Sequence, residues 1–431
     1  MVEKYDVAIV GAGVAGLSAA YMLAKAGVQV IVLERGLNSG TKNVMGGVLY
    51  RQMMEEMIPE FWKTAPLERR IIEQRFWLLG KESVTQSAYR DMSWGEPPYN
   101  NFTVFRAKFD QWFAKKCTEV GALIVNETLV TDCIIKDNRV VGVRTNRPEG
   151  DVYADVVVLA DGVNSLLAKK LGFHKEWRAD QVALAVMEEI KLPSNVIEER
   201  FNLGKETGTT IEIYGESTQN LTGTAFIYTN KEHISIGCGT LLSQLSKSGG
   251  KPYDILARFK QNPIIKPLIE GGEPVEYYAH LIPEGGYRSV PRLCGDGVLV
   301  IGDSAQLVNS IHREGSNLAM TSGRLAAEAI LQARRLGEYD KRALSVYHTL
   351  LTNSYVLQDL RKYKDAVHIM EHNPAYFNHH LPAVNDSMRE ILTVDGKSKR
   401  QKQGLIVKQF FHGRPKLKVL WEILKLGKAM Q

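Results

Sequence analysis

Five short apolar runs recur along the chain, each ending at glycine or an acidic residue: DVAIVGAG at 6–13, VQVIVLE at 28–34, GALIVNE at 121–127, ADVVVLADG at 154–162 and GVLVIGD at 297–303. Their unbroken Val, Ile and Leu character predicts parallel strands buried on both faces. The first two are separated by VAGLSAAYMLAKAG, helical in period and closed by Gly27 as a C-cap, so a β-α-β unit opens the chain. Between about 181 and 280 the texture changes. TAFIYTNKEHISIGCGT alternates on both sides of Asn230-Lys231-Glu232, the pattern of an antiparallel hairpin, and GTTIEIYGE and PVEYYAHLI read as further strands. YDILARFKQNPIIKPLI reads as a helix with a proline-marked end. The patterning predicts an α/β protein in three parts: a discontinuous Rossmann-like dinucleotide-binding domain at 1–180 and 285–335, an inserted mixed or antiparallel sheet domain at 181–284, and a helical C-terminal region at 336–431.

The first run carries chemistry. Gly11-Ala12-Gly13-Val14-Ala15-Gly16 is a G-x-G-x-x-G that follows a strand, opens a helix and precedes a second strand ending in Glu34, eighteen residues after Gly16. Gly11 permits the tight turn, Gly13 lets a pyrophosphate approach the backbone, and Gly16 permits close helix–strand packing. Free N–H groups and the positive dipole end of the helix face the phosphates. Glu34 suits ribose hydroxyls and would repel a 2′-phosphate, an inference that the neighbouring Arg35 weakens. The motif alone does not separate FAD from NAD. Asp161-Gly162 and Gly302-Asp303 end two later strands, where an acid can hydrogen-bond a ribityl chain or ribose; taken singly, each dipeptide is also a common turn. Together the three segments form the pattern of flavoproteins resembling the p-hydroxybenzoate hydroxylase and glutathione reductase FAD superfamily.

Composition narrows the chemistry. At 44% apolar and 24% charged residues the chain is ordinary for a folded protein, and no apolar run approaches a membrane span. The N-terminal MVEKYDVAIVGAG enters a strand at once, without the layout of a signal peptide, which predicts a cytoplasmic protein. Cys117, Cys133, Cys238 and Cys294 are too scattered for an iron–sulfur array. No G-x-S-x-G, H-E-x-x-H or clustered Cys/His pattern is present, so hydrolytic and zinc chemistry are disfavoured and no metal site is expected. The segment 397–431 holds ten Lys or Arg against the single acid Glu422, a charge of +9 in a chain of net +6, so the rest of the chain stands at −3. With no recognition module either, nucleic acid is not an expected partner.

Three stretches carry a closer resemblance: ERGLNSGTKNVMGGVLY (34–50), FRAKFDQWFAKKCTEVGA (105–122) and, most specifically, IGDSAQLVNSIHREGSNLAMTSG (301–323). They resemble the FixC family, the flavin subunits of electron-transfer-flavoprotein:quinone oxidoreductases, called EtfC in electron-bifurcating assemblies. The resemblance covers residues 1 to about 430. It implies one FAD, electrons arriving from a partner electron-transfer flavoprotein, and quinone in the membrane as acceptor; the inserted domain is then the expected quinone or substrate domain. The related single-chain enzymes carry a cysteine-ligated 4Fe-4S cluster; this chain lacks those cysteines, which implies a separate small ferredoxin-like iron–sulfur subunit of the FixX or EtfX kind.

The resemblance also assigns residues. It places the loop holding Lys42, Asn43, Gly46 and Gly47 alongside the flavin, puts Arg106 on the cofactor, and points the helix start at Gly315, Ser316, Asn317 and Leu318 toward the pyrimidine edge of the ring. His312, Arg313 and Glu314 are left with two readings, a proton relay toward quinone or an ion-paired wall beside the ring. In the tail, LKVLWEILKLGKAM puts Lys418, Glu422 and Lys425 on one helical face and Leu417, Leu420, Ile423 and Leu424 on the other. Such a helix suits either the inner surface of the cell membrane, through residues 397–431, or a partner subunit. Two other functions stay open: a geranylgeranyl reductase-type or NAD(P)H-dependent flavin reductase or monooxygenase, and an assembly subunit with a structural flavin.

Overall fold

The computed structural model describes residues 4–41 and 46–431. The chain divides into two compact units, each assembled from three segments: 1–68, 100–178 and 283–364 in the first, 69–99, 179–282 and 365–431 in the second.

In the first unit the five apolar runs form β1 (Lys4–Val10), β2 (Val30–Leu33), β3 (Leu123–Val125), β4 (Asp151–Leu159) and β5 (Val298–Val300). They lie parallel in the spatial order β5-β4-β1-β2-β3. Val7–Val10, Val30–Leu33 and Val298–Val300 are buried throughout, as two-sided burial requires. The antiparallel strand Cys294–Gly295 edges β5, and the hairpin Val130–Lys136/Arg139–Thr145 adds to β4. Three helices matter for the site: α1 (Val14–Lys25), α2 (Arg106–Glu119) and α3 (Ser316–Leu336). α1 ends where Gly27 takes φ +76°. It packs against α3 at backbone distance, because a Cβ on Gly323 would lie 2.2 Å from the Ala15 carbonyl oxygen. Ala15 is held between Gly323 and Gly302, whose added Cβ would lie 2.7 Å from the Ala15 Cβ.

The second unit holds a mixed sheet in the order Glu273–Pro283, Val182–Lys191, His233–Leu241, Gly223–Thr229, Thr207–Gly215 and Leu67–Leu79, with Val84–Arg90 antiparallel to the last. Thr207–Gly215 runs parallel to Leu67–Leu79 and the expected 223–241 hairpin is antiparallel. Trp77, Ile190, Ile211 and Ile236 from the strands meet Phe201 and Phe259 from two helices in its core.

Two boundaries fall away from the 180/285/335 expectation. Residues 69–99 belong to the second unit, since their strand pairs with Thr207–Gly215. Residues 336–364 belong to the first, where helices Val346–Asn353 and Tyr355–Lys362 pack on α3 and Tyr355 Oη meets Thr321 Oγ1 at 2.8 Å.

The tail forms α4 (Lys399–Phe410) and α5 (Lys416–Met430). α5 is rolled differently from the expected charged and apolar faces. Val419 and Glu422 are buried, while Leu417, Leu420, Trp421, Ile423 and Leu424 are exposed beside Lys418 and Lys425. The reason is local. The Glu422 carboxylate accepts from Arg414 at 2.6 Å and hydrogen-bonds His380 Nε2 at 3.0 Å, and the Glu422 carbonyl accepts from Tyr376 Oη at 2.7 Å. The partnered carboxylate, buried Val419, and Leu426 packed against the Ile369, Tyr376 and Phe377 cluster therefore dock the helix, and Leu417, Leu420 and Leu424 face out.

Candidate functional site

Strand register builds the site. Leu33, Val10, Leu159 and Val300 stand in one row across β2, β1, β4 and β5. Glu34, Gly11, Asp161 and Gly302-Asp303 follow immediately beyond it, so the acids and glycines singled out in the sequence gather along the carboxyl edge of the parallel sheet. Ligands of open α/β sheets bind at this edge.

Gly11 takes φ +101°, and a Cβ there would lie 2.4 Å from the Ala160 carbonyl oxygen. Over Gly13 the space is open: an added Cβ meets nothing within 4 Å. Gly13 caps α1 without a side-chain hydrogen bond and the first turn carries no acid, leaving N–H groups and a positive dipole end beneath that space. Glu34 is buried; its carboxylate accepts from Ala12 N–H at 2.9 Å and Gly36 N–H at 2.7 Å, which ties the two turns together and leaves lone pairs for ribose hydroxyls. Arg35 is exposed.

Asp161 Oδ2 accepts from Leu167 N–H at 3.2 Å, and burial holds its carboxyl above the usual range against that bond. Gly162 has φ +79° with open space where a Cβ would be. Gly302 N–H donates to Ser322 Oγ of α3 at 2.9 Å. Ser165 Oγ donates to the Ser304 carbonyl at 2.8 Å, joining the loops after β4 and β5.

Arg106 is buried at the start of α2, where Nε and Nη2 donate to the two oxygens of Asp110 at 2.8 and 2.9 Å and Nη1 reaches Ser316 Oγ at 3.3 Å. Burial alone would lower the guanidinium pKa; the Asp110 carboxylate, with Asp303 further off, outweighs it. Arg106 thus links α2 to the first residue of α3. Gly46 and Gly47 pair with Phe105 and Val104 in a strand leading to the same place. Lys42 and Asn43 lie outside the described residues.

α3 also starts on an uncapped glycine, Gly315, with no acid in its first turn. Asn317 and Leu318 are buried there, with Gly315 and Ser316 half-buried. Asn317 Oδ1, both side-chain polar atoms of Gln306 and Asn309 Nδ2 are buried without a hydrogen-bond partner among the described residues. Buried amides are rarely left so unless a ligand or water meets them. Open glycine cradles, two uncapped helix starts and unmet amides at one sheet edge fit a dinucleotide.

The triplet before α3 forms the tip of a tight turn. Asn309 and Glu314 exchange backbone hydrogen bonds of 2.8 and 3.1 Å, and Asn309 Oδ1 accepts from the N–H groups of Ile311 and His312. Arg313 sits at φ +55°. The three side chains go separate ways. His312 is exposed against the Tyr363 ring, with centroids 4.9 Å apart. Arg313 bears on Glu284, whose carboxyl burial pushes up to about 7 against that positive charge. The Glu314 carboxyl is raised by burial, opposed by Asn317 and His312.

Sequence reasoning missed Asp110, Ser165, Ser322 and Glu284. Asp110 was the findable one, since it lies four residues after Arg106 on a helix, the spacing of an ion pair. The others act through partners distant in sequence and leave no local trace.

Comparison with known proteins agrees with this geometry. The description "FAD dependent oxidoreductase" matches residues 6–92, and "ETF-QO/FixC family C-terminal domain" matches residues 366–431. The chain is 48% identical to Protein FixC of Bradyrhizobium diazoefficiens, covering 96% of this chain and 95% of that one. It is 43% identical to Protein FixC of Azotobacter vinelandii over the full length of both, and 38% identical to that of Escherichia coli K12 over 92% of each. In fold it is similar to a geranylgeranyl bacteriochlorophyll reductase-like protein from Thermoplasma acidophilum, with a TM-score of 0.75 at 18% identity over 99% of this chain and 100% of that one. It is similar also to the myxobacterial chondrochloren halogenase CndH, with a TM-score of 0.67 at 17% identity over 99% and 97%. From the near-full-length identity to the FixC proteins, and from a sheet edge shaped for a dinucleotide, the chain belongs to the FixC family and is an FAD-dependent oxidoreductase.

Proposed function

We propose that this chain accepts electrons from a partner electron-transfer flavoprotein and passes them to membrane quinone, working with a small ferredoxin-like iron–sulfur subunit and resting on the membrane surface through its tail. The observation that carries the reading is the ETF-QO/FixC match on residues 366–431, the segment whose α5 turns Leu417, Trp421 and Leu424 to solvent at 82, 59 and 71% exposure. An outward apolar stripe flanked by lysines suits a bilayer interface. Among the described residues no helix is long and apolar enough to cross a membrane.

Bound FAD supplies the exchange between one- and two-electron carriers. The residues around it bind and tune. The start of α1 would hold the pyrophosphate, Glu34 the adenosine ribose and Asp161 or Asp303 the ribityl side. Gly315 to Leu318 would bring backbone N–H groups and the positive end of α3 to the N1/O2 edge, favouring negative charge there. Arg106 positions that helix start through Ser316. The task of the chain is the same in a simple relay or in an electron-bifurcating assembly.

The test is anaerobic. The purified holoprotein is mixed with its reduced partner flavoprotein and then with a quinone analogue. Bleaching of the flavin absorbance by the partner and recovery with quinone are expected. Fast bleaching by NADH or NADPH alone, with none from the partner, would replace this reading by the reductase or monooxygenase one.

A further inference from the structure

The turn between α4 and α5 holds a shallow cavity, broadly open to solvent, of about 640 Å³. α4 lines it with Gly404, Val407 and Lys408, and Phe411 follows one turn later, the i, i+3, i+4, i+7 spacing of one helical face. Arg414 and Lys416 close the other side. The wall is therefore cationic and apolar at once, and no carboxylate lines it among the described residues. Glu422, the one acid of the tail, is already engaged by Arg414 and His380.

Three other tail lysines have internal partners, Lys397 and Lys402 pairing with Asp395 and Lys399 donating to the Ile391 carbonyl, whereas the ammonium groups of Lys418 and Lys428, outside the cavity, have none among the described residues. The Lys408 ammonium makes no ion pair or hydrogen bond among the described residues. Among the described residues the Lys416 ammonium meets only the Phe411 ring, 5.8 Å away. α5 starts after Pro415 without a side-chain cap or a first-turn acid, so unpaired N–H groups and a positive dipole end add to the same wall.

The occupant is identified by what continues from the cavity. One residue past Lys416 the exposed stripe begins: Leu417, Leu420, Trp421 and Leu424, again at i, i+3, i+4, i+7. A free phosphate would use the cations and leave the stripe bare. A ligand with a phosphate at one end and long apolar chains at the other uses both.

We propose that this cavity binds the headgroup phosphate of an anionic phospholipid whose acyl chains lie along the Leu417–Leu424 stripe. The site rests on the membrane-surface reading above and makes it lipid-selective. Lys408, Lys416 and the first turn of α5 hold the phosphate, Phe411 and Val407 wall the glycerol side, and Arg414 stays bound to Glu422, fixing the roll of the helix.

Flotation of the FAD-loaded full chain tests it with three vesicles: phosphatidylcholine alone, phosphatidylcholine with phosphatidylglycerol, and phosphatidylcholine with oleate at matched surface charge. Wild type is expected to prefer the phosphatidylglycerol vesicles to the oleate ones and to keep that preference in excess inorganic phosphate. Two double variants remove equal charge: Lys408→Gln/Lys416→Gln inside the cavity and Lys418→Gln/Lys428→Gln outside it. Smeared surface charge is worth roughly five-fold in binding per lysine, so the outside pair should lose up to about twenty-five-fold. The cavity pair should lose about ten-fold more again on phosphatidylglycerol alone, because charge-assisted hydrogen bonds go with the charge. Gly404→Phe fills the cavity with every charge kept, since an added Cβ there meets nothing within 4 Å, and it should abolish the preference while circular dichroism and flavin content stay normal.

Equal losses for the two pairs, an unaffected Gly404→Phe, or displacement by inorganic phosphate would each overturn the proposal. Wild type that ignores every vesicle would overturn the membrane reading as well, and would leave an acidic protein segment as occupant. Binding that persists without lipid preference would remove the site and spare that reading.

Discussion

Arg106 is nearly sealed from water, and three of its N–H groups are spoken for by Asp110 and Ser316. Removing Asp110 leaves a buried guanidinium without its counter-charge, so Asp110→Ala should cost about 3–5 kcal/mol in urea or thermal unfolding, against a smaller loss for Asp110→Asn, which keeps the volume. Loss of FAD on gel filtration should follow the same order, because Ser316 opens the helix that would hold the ring. A variant as stable and as flavin-loaded as wild type would mean that Arg106 finds another anion. Glu284 supplies a prediction in pH. Burial raises its carboxyl from 4.5 to about 7, so the folded chain holds a proton that the unfolded chain gives up earlier. The contribution is complete below pH 4.5 and is lost as pH rises through 7. Glu284→Gln should flatten that limb by at most about 3 kcal/mol, read as the difference between wild-type and variant unfolding curves from pH 5 to 8. Parallel curves would exclude it.

Among the elements, α5 shows how a helix can be recognised and its roll still misread. Its period and charge are local, but Glu422 is turned inward by Tyr376, His380 and Arg414, three of whose contacts no local pattern announces. The strand Leu67–Leu79 escaped for a related reason. Arg69 and Glu73 look like solvent residues, yet Arg69 is 0% exposed and donates to the carbonyls of Asn230, Thr207 and Lys231 and to Glu198 and Ser194. The parallel strands of the first unit were legible because burial on both faces writes itself as an unbroken apolar run. The edge of the site was legible because glycines and acids at strand ends are local signals; the amides that converge there were not. His380 gives the element its own test. Burial lowers its pKa from 6.5 against the pull of Glu422, so the unfolded chain takes a proton first as pH falls. Stability from this site is present above pH 6.5 and declines below it toward the depressed value. Protection from hydrogen exchange in 376–380 and α5, taken relative to the intrinsic exchange rate at each pH, should fall on acidification from pH 7 to 5.5, and His380→Gln should remove that dependence. Protection insensitive to pH would show that the imidazole does not set the docking of α5.

For the molecule as a whole, the division of labour follows the division of the chain. Every dinucleotide-edge residue, from Gly11 to Leu318, lies in the first unit, and the exposed stripe of α5 lies in the second. Charge placed on the stripe therefore alters no side chain of the flavin edge. Leu420→Asp with Leu424→Asp puts two carboxylates where lipid contact is proposed. Each lost leucine removes roughly 1.5–3 kcal/mol of burial, so association with anionic vesicles should fall by more than about a hundred-fold. Reduction of the flavin by the partner flavoprotein, and its reoxidation by a water-soluble quinone analogue, should stay within about two-fold of wild type, since neither needs lipid-held substrate. Reoxidation by quinone dissolved in vesicles should fall by more than about ten-fold, in step with the lost binding. That contrast separates the two possible duties of the stripe: a partner-docking face would slow the step fed by the flavoprotein or the iron–sulfur subunit and leave vesicle binding intact, whereas a lipid face impairs only the reaction whose substrate is dissolved in the bilayer.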